Sequence, residues 1–303
     1  MRILLLIFLF FASIQGSAQN GKILNKIHID LEKSTFWDQI SINNEPKPEY
    51  EYLENLNFFF ITYLSDSKKV KGYIVEPKKK GKYPVVIFNR GGNRNFAALN
   101  LATMIVYTSK LANEGYFIIG SNYREKDELG GSDLNDVLNL TETIKDLDKA
   151  DNNLIGMFGW SRGGLMTYLA LKNSNKIKTA IVGNGPADFF KTVEHLPGLE
   201  NVLEECVPNY CENRNQELKK RSVVYWPEKL DKNSSLLILA GTKDKRVDFK
   251  QAEEIGEKLK AINYDYELQI FDTDHFFSNK KEELNNAVIL WFNRELKTTH
   301  NNG

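Results

Sequence analysis

Gly159-Trp160-Ser161-Arg162-Gly163-Gly164 is the stretch whose reading decides the fold. The pattern Gly-x-Ser-x-Gly recurs by chance, so its meaning depends on what flanks it. Residues 154–158 form a short apolar run that predicts a strand, and residues 163–172 predict a helix. A strand entering a helix through so tight a turn forces the central residue into strained dihedrals and leaves no room for Cβ atoms at Gly159 and Gly163. Ser161 Oγ is then presented at a helix N-terminus, where the Arg162 backbone N–H can stabilise a developing oxyanion. An ordinary strand-to-helix turn is the alternative, and the additional Gly164 argues against it.

Outward from this turn the chain repeats strand, loop and helix. Strands are predicted at 84–88, 116–120, 154–158, 179–182, 236–240 and 266–271. Helices are predicted at 99–113, 133–147 (with Ser132 as N-cap), 163–172, 249–262 and 281–296. Short apolar strands alternating with amphipathic helices imply an α/β fold, with a mostly parallel central sheet covered on both faces. Ahead of it, residues 56–64 and 70–75 read as an antiparallel hairpin turning at Asp66-Ser67. Residues 19–55 read as a polar, weakly patterned N-terminal arm, and Lys78-Lys79-Lys80-Gly81-Lys82 as a solvated turn. The irregular section of about 184–234 is too long for a plain connection and predicts a helical cap insertion. The catalytic domain is therefore expected over 56–297, with a tail at 298–303.

A nucleophilic serine needs a base, and the chain has four histidines. His28 lies in the arm, His300 in the tail and His195 in the irregular section. His275 follows the last strand and precedes the last helix, where an α/β-hydrolase fold places its base, in the chain order serine, acid, histidine. The acid should end the strand between them. Asp244, after 236–240, fits best, with Asp248 and Asp274 as rivals; it would hold the imidazole tautomer. A second oxyanion donor is expected from Asn89-Arg90-Gly91-Gly92, where glycines let backbone approach substrate. The Gly92 N–H is preferred, with Gly91 next. Trp160 flanks the nucleophile as a substrate contact, and Arg90 and Arg162 are candidate partners of a substrate carboxylate. Phe189, Phe190, Tyr210, Tyr225 and Trp226 either line an acyl pocket or form the core of the cap.

These residues resemble the catalytic domain of the prolyl oligopeptidase family of serine peptidases, within the α/β-hydrolase superfamily. The resemblance rests on the 159–164 stretch, on Leu236-Leu237-Ile238-Leu239-Ala240-Gly241-Thr242-Lys243-Asp244-Lys245-Arg246-Val247 and on Arg221-Ser222-Val223-Val224-Tyr225-Trp226, and covers roughly 56–296. It implies peptide-bond hydrolysis near chain ends through an acyl-enzyme on Ser161, without a cofactor. The fold also hosts esterases, so small or sugar-linked esters are the alternative substrates to small peptides. A silent binding protein is a third reading, disfavoured by the complete triad.

Composition fits this reading. Hydrophobic residues at 42% and aromatics at 12% supply a full core, and 40 basic against 40 acidic side chains, with no basic stripe, exclude a typical nucleic-acid binder. Met1-Arg2, the apolar run 3–14 and Gly16-Ser17-Ala18 have the layout of a secretory signal peptide over 1–18. The run is shorter than the roughly 20 residues of a spanning helix. Export to the periplasm or beyond is expected, with no membrane attachment after cleavage; an uncleaved N-terminal anchor is the alternative. The only two cysteines, Cys206 and Cys211, would close a small disulfide loop in an oxidising compartment or remain unpaired thiols. Without a matching histidine pair they make no zinc site.

Overall fold

The computed structural model describes residues 19–297. The expected leader and the tail that holds His300 lie outside them. Nine strands form one sheet: β1 (Ile23–Ile29), β2 (Leu56–Ser65), β3 (Lys68–Pro77), β4 (Tyr83–Asn89), β5 (Phe117–Ser121), β6 (Ala150–Trp160), β7 (Thr179–Gly183), β8 (Ser235–Gly241) and β9 (Tyr266–Phe271). Their order is β1-β2-β3-β5-β4-β6-β7-β8-β9. The pairs β1/β2, β2/β3 and β3/β5 are antiparallel, and the strands from β5 to β9 run parallel. This is the α/β-hydrolase architecture. Apart from the starts of β4 and β6, the strands from β4 to β8 are wholly buried, as a parallel sheet covered on both faces requires. Two apolar clusters fill those faces. One is built around Ile87, Met157, Leu165 and Leu236, the other around Phe88, Phe158, Trp160 and Phe292.

The order reverses at β4. The chain leaves it for β5 on one side and returns as β6 on the other, so a crevice opens beyond its carboxyl end. The loop after β4 and the turn after β6 share that crevice.

Three local expectations change. The arm contributes β1, which pairs along β2 from Ile29↔Phe58 to Ile23↔Tyr63. Its middle side chains are all exposed, so no apolar alternation marked it as a strand. The helix expected over 133–147 is broken into α2 (Leu134–Leu138), α3 (Leu140–Thr143) and a 3-10 turn (Ile144–Asp146). Ser132 does not cap it. The flanking residue is Asp133, whose carboxylate is drawn away to Arg162. Third, the helix α1 from Leu101 to Asn113 opens on an Asn100 cap and contains a π-helical turn at Ile105–Ser109.

Beyond a single turn at Trp37–Ile40, the remaining α-helices are α4 (Arg162–Asn173), α5 (Phe189–His195), α6 (Gly198–Cys206), α7 (Tyr210–Arg221), α8 (Lys250–Ala261) and α9 (Lys281–Phe292). The insertion between β7 and β8 is thus helical, holding α5 to α7. Cys206 is buried at the end of α6 while Cys211 is exposed in the first turn of α7, and both are free thiols. The structure therefore shows the unpaired-thiol alternative. Among the described residues no helix is long and apolar enough to cross a membrane.

Candidate active site

The turn between β6 and α4 has the strained form its sequence demands. Ser161 sits at φ 55°, ψ −122°, a sparsely populated region that costs a non-glycine residue about 1–3 kcal/mol. Its neighbours hold it there. The Ser161 N–H donates to Gly183 O at 2.8 Å. A Cβ on Gly159 would lie 2.1 Å from Gly163 O, and one on Gly163 only 1.9 Å from Asn89 O. Those two glycines let α4 close onto the ends of β4 and β6.

His275 and Asp244 meet across the loops after β9 and β8. His275 Nδ1 lies 2.6 Å from Asp244 Oδ2, with both side chains buried. Asp244 Oδ1 accepts from the backbone N–H groups of Arg246 (2.7 Å) and Val247 (3.1 Å). In this cradle Asp244 Oδ2 can accept a hydrogen bond from His275 Nδ1–H, the tautomer that leaves Nε2 as the free acceptor. The rivals are engaged elsewhere. Asp248 accepts from the Lys250 N–H. Asp274 accepts from Phe276 and Ser278. Of the other histidines, His28 packs edge-on against Phe59 in the β1/β2 pair, and His195 ends α5, exposed.

Ser161 and His275 line one cavity of about 110 Å³, together with Phe88, Phe96, Leu99, Tyr107, Trp160 and Phe276. Trp160 forms part of its wall, packed on Tyr107, Phe158 and Phe277. None of the cap aromatics reaches it. Phe189, Tyr210 and Trp226 are buried in the core, and Tyr225 packs edge-on against Phe190. The insertion touches the site's surroundings through an ion pair of Glu205 with Arg94.

The expected arginine roles change as well. Arg162 sends its guanidinium inward, to Asp127 (2.6 and 2.7 Å) and to Asp133. The Arg90 guanidinium gives all its donors to backbone carbonyls: Asn122 O twice, Gly91 O, Phe96 O and Arg94 O. Neither is free to take a substrate carboxylate. Burial pushes the Arg90 guanidinium below its ordinary range. The glycines of this loop divide their work. Gly91 abuts Ser161, since a Cβ there would lie 3.2 Å from Ser161 Cβ. Gly92 takes φ +69°, which the turn requires.

Two residues escaped the sequence reading. Arg246 lines the cavity, its guanidinium between the rings of Phe96 and Phe276 at 5.9 and 5.2 Å. Its place two residues beyond Asp244 was the available signal. Asn184, buried just after β7, donates from Nδ2 to His275 O (3.0 Å) and accepts at Oδ1 from Gly241 N–H (2.9 Å). It ties the acid loop to the histidine loop, and no local pattern marks it.

Residues 111–299 match the prolyl oligopeptidase family. The chain belongs to that family of serine peptidases. Among curated relatives, the uncharacterized peptidase YtmA of Bacillus subtilis (strain 168) is 23% identical over 236 residues, covering 75% of this chain and 90% of YtmA. The acylamino-acid-releasing enzyme of Rattus norvegicus is 22% identical over 276 residues, which span 83% of this chain but only 36% of that enzyme. Pyrococcus horikoshii acylaminoacyl peptidase superposes with a TM-score of 0.70 at 23% identity, over 82% of this chain and 43% of its own. This prolyl oligopeptidase family member therefore spans nearly all of one relative and less than half of the others. Its likeness to the solved structure speaks for the fold alone.

Proposed function

We propose that the chain is a serine peptidase cleaving small peptides through an acyl-enzyme on Ser161. The observation that carries this reading is the buried Asp244–His275 contact at 2.6 Å, in a cavity shared with a strained Ser161. In the proposed reaction Ser161 Oγ attacks the scissile carbonyl while its proton passes to His275 Nε2. The imidazolium that forms is stabilised by Asp244. The backbone N–H groups of Arg162 and Gly92 receive the negative oxygen of the tetrahedral adduct. Its collapse breaks the C–N bond, and the leaving amine takes the proton from His275. Water then repeats the sequence on the ester, with His275 as base, and releases the acid and free Ser161.

A cavity of about 110 Å³ walled by Phe88, Leu99, Tyr107 and Trp160 favours one compact apolar group beside the scissile bond. Arg246 at its rim adds a donor for a substrate carbonyl or carboxylate. Export is proposed from the leader-like residues 1–18 alone.

The test is labelling by a fluorophosphonate probe, then turnover of aminoacyl anilides against matched aryl esters. Wild type should label and cleave both. Ser161→Ala should lose labelling and about 10⁶-fold in kcat if the three residues act as a unit. Equal labelling of wild type and variant would overturn the nucleophile. Cleavage of esters alone would move the reading to a carboxylic ester hydrolase.

A further inference from the structure

We propose that Arg90 is a positioning residue that sets the direction of the oxyanion-binding peptide, an inference that rests on the Ser161 reading above. Gly91 C=O and Gly92 N–H belong to one planar unit, and the chain has no cis peptide bond among its described residues. The two groups therefore point in opposite directions. Arg90 Nη1 donates to Gly91 O at 3.0 Å. Holding that oxygen fixes where the Gly92 N–H aims.

The grip extends around the turn. The same Nη1 donates to Phe96 O at 3.1 Å, and Nη2 to Arg94 O at 2.8 Å. Phe96 O is the atom that a Cβ on Gly92 would strike, at 2.2 Å. Nε and Nη2 anchor the whole to Asn122 O, just beyond β5, at 3.3 and 3.0 Å. From the other side, Arg162 Nη1 donates to Gly92 O at 3.1 Å. The Tyr123 ring lies between the two guanidinium groups, 4.9 Å from Arg90 and 4.5 Å from Arg162. Tyr123 Oη donates to Arg90 O at 3.0 Å. Each peptide of the Gly91-Gly92 pair thus has its carbonyl held by an arginine.

Arg90 differs from Arg162 in its partners. Arg162 is neutralised by Asp127 and Asp133, whereas Arg90 bonds carbonyls only. A buried guanidinium serving stability alone is usually paired with a carboxylate, because an unpaired buried charge is costly. Three carbonyl bonds within its own loop and two to Asn122 O organise that loop, and they leave the positive charge uncancelled by direct contact at the cavity that Ser161 also lines. Both features favour the transition state over the bound substrate, so the effect belongs in kcat.

The test uses Arg90→Met, Arg90→Lys and Arg90→Ala in the full chain, with kcat and KM on a substrate that wild type turns over. Each variant is paired with its thermal transition and its labelling rate by a fluorophosphonate. For Arg90→Met, kcat and the labelling rate should fall about 10²-fold, the lower end for loss of one oxyanion donor, with KM within about threefold. Lys keeps the charge but cannot hold Gly91 O, Phe96 O and Asn122 O together, so it should fall between. Added guanidinium should recover part of the loss in Arg90→Ala. Unchanged kcat in a folded variant, or a loss confined to KM, overturns the proposal. If Arg90→Met fails to fold, Arg90→Lys decides by the same criteria. Failure of the Ser161 reading is seen separately, as no labelling of wild type.

Discussion

Replacing Asn184 by alanine should damage stability and catalysis together, by amounts that can be worked from its contacts. Asn184 is 4% exposed and has φ +44°. Its amide serves the Gly241 N–H and the His275 carbonyl, at 2.9 and 3.0 Å. Truncation leaves both without that partner in a region water hardly reaches, at about 1–3 kcal/mol each. Alanine also tolerates the left-handed backbone less well than asparagine, adding about 1 kcal/mol. The sum is about 3–7 kcal/mol, against a total of about 5–15 for a domain. Asn184→Gly removes the same amide without the backbone penalty, so it should sit about 1 kcal/mol above Asn184→Ala in urea unfolding. Gly241 precedes Asp244 by three residues, so loosening both ends disturbs the 2.6 Å Asp244–His275 contact. Misplacement by 1 Å can cost about 10²-fold. We expect kcat to fall at least about tenfold under conditions where the variant stays folded, with KM little changed. A loss under about 1 kcal/mol for alanine, or wild-type kcat, would refute the reasoning.

Two further outcomes follow from local geometry. Gly163→Ala places a Cβ 1.9 Å from Asn89 O, a backbone atom that cannot swing aside, so α4 must lift off β4. A loss above about 3 kcal/mol is expected, and a melting temperature within about 2 °C of wild type would contradict the packing described. Thiol titration should find Cys211 reactive in the folded chain and Cys206 only on unfolding, since burial hides Cys206 and pushes its thiol up. Two thiols that appear only after reduction would mean a disulfide instead.

The elbow was legible because its constraints are local. Strand, serine and helix lie within twenty residues, and a Cβ on Gly159 would strike Gly163 O within the turn itself. The parallel sheet was legible for a related reason: strands buried on both faces must be apolar throughout, so residues 84–88 and 236–240 read as strands without knowledge of their neighbours. The same argument explains why β1 was invisible. An edge strand gains its ladder from β2 and needs no apolar face, so its exposed middle residues carry no period. The missing cap at the start of 133–147 was also hidden, because a carboxylate that could cap locally is committed to Arg162, across the fold.

Arg90 and Asn184 share one physical feature: their partners are main-chain groups. Arginine beside a Gly-Gly pair suggested recognition of a substrate carboxylate. What decides otherwise is that the chain returns at Phe96 and at Asn122 with carbonyls pointing inward, which no residue identity encodes. Asn184 meets partners 57 and 91 residues away, both main-chain groups, so their sequence could be anything. The pocket follows the same rule. Aromatics were plentiful in the cap, yet Tyr107 supplies the wall, from the π-helical turn of α1. A π-turn adds a residue to the helical register and swings the side chains beyond it to a new face, so a period of 3.6 misplaces them. Chemistry that depends on residue type is therefore readable from one sequence, whereas the backbone geometry that aims it is readable only once the loops are closed.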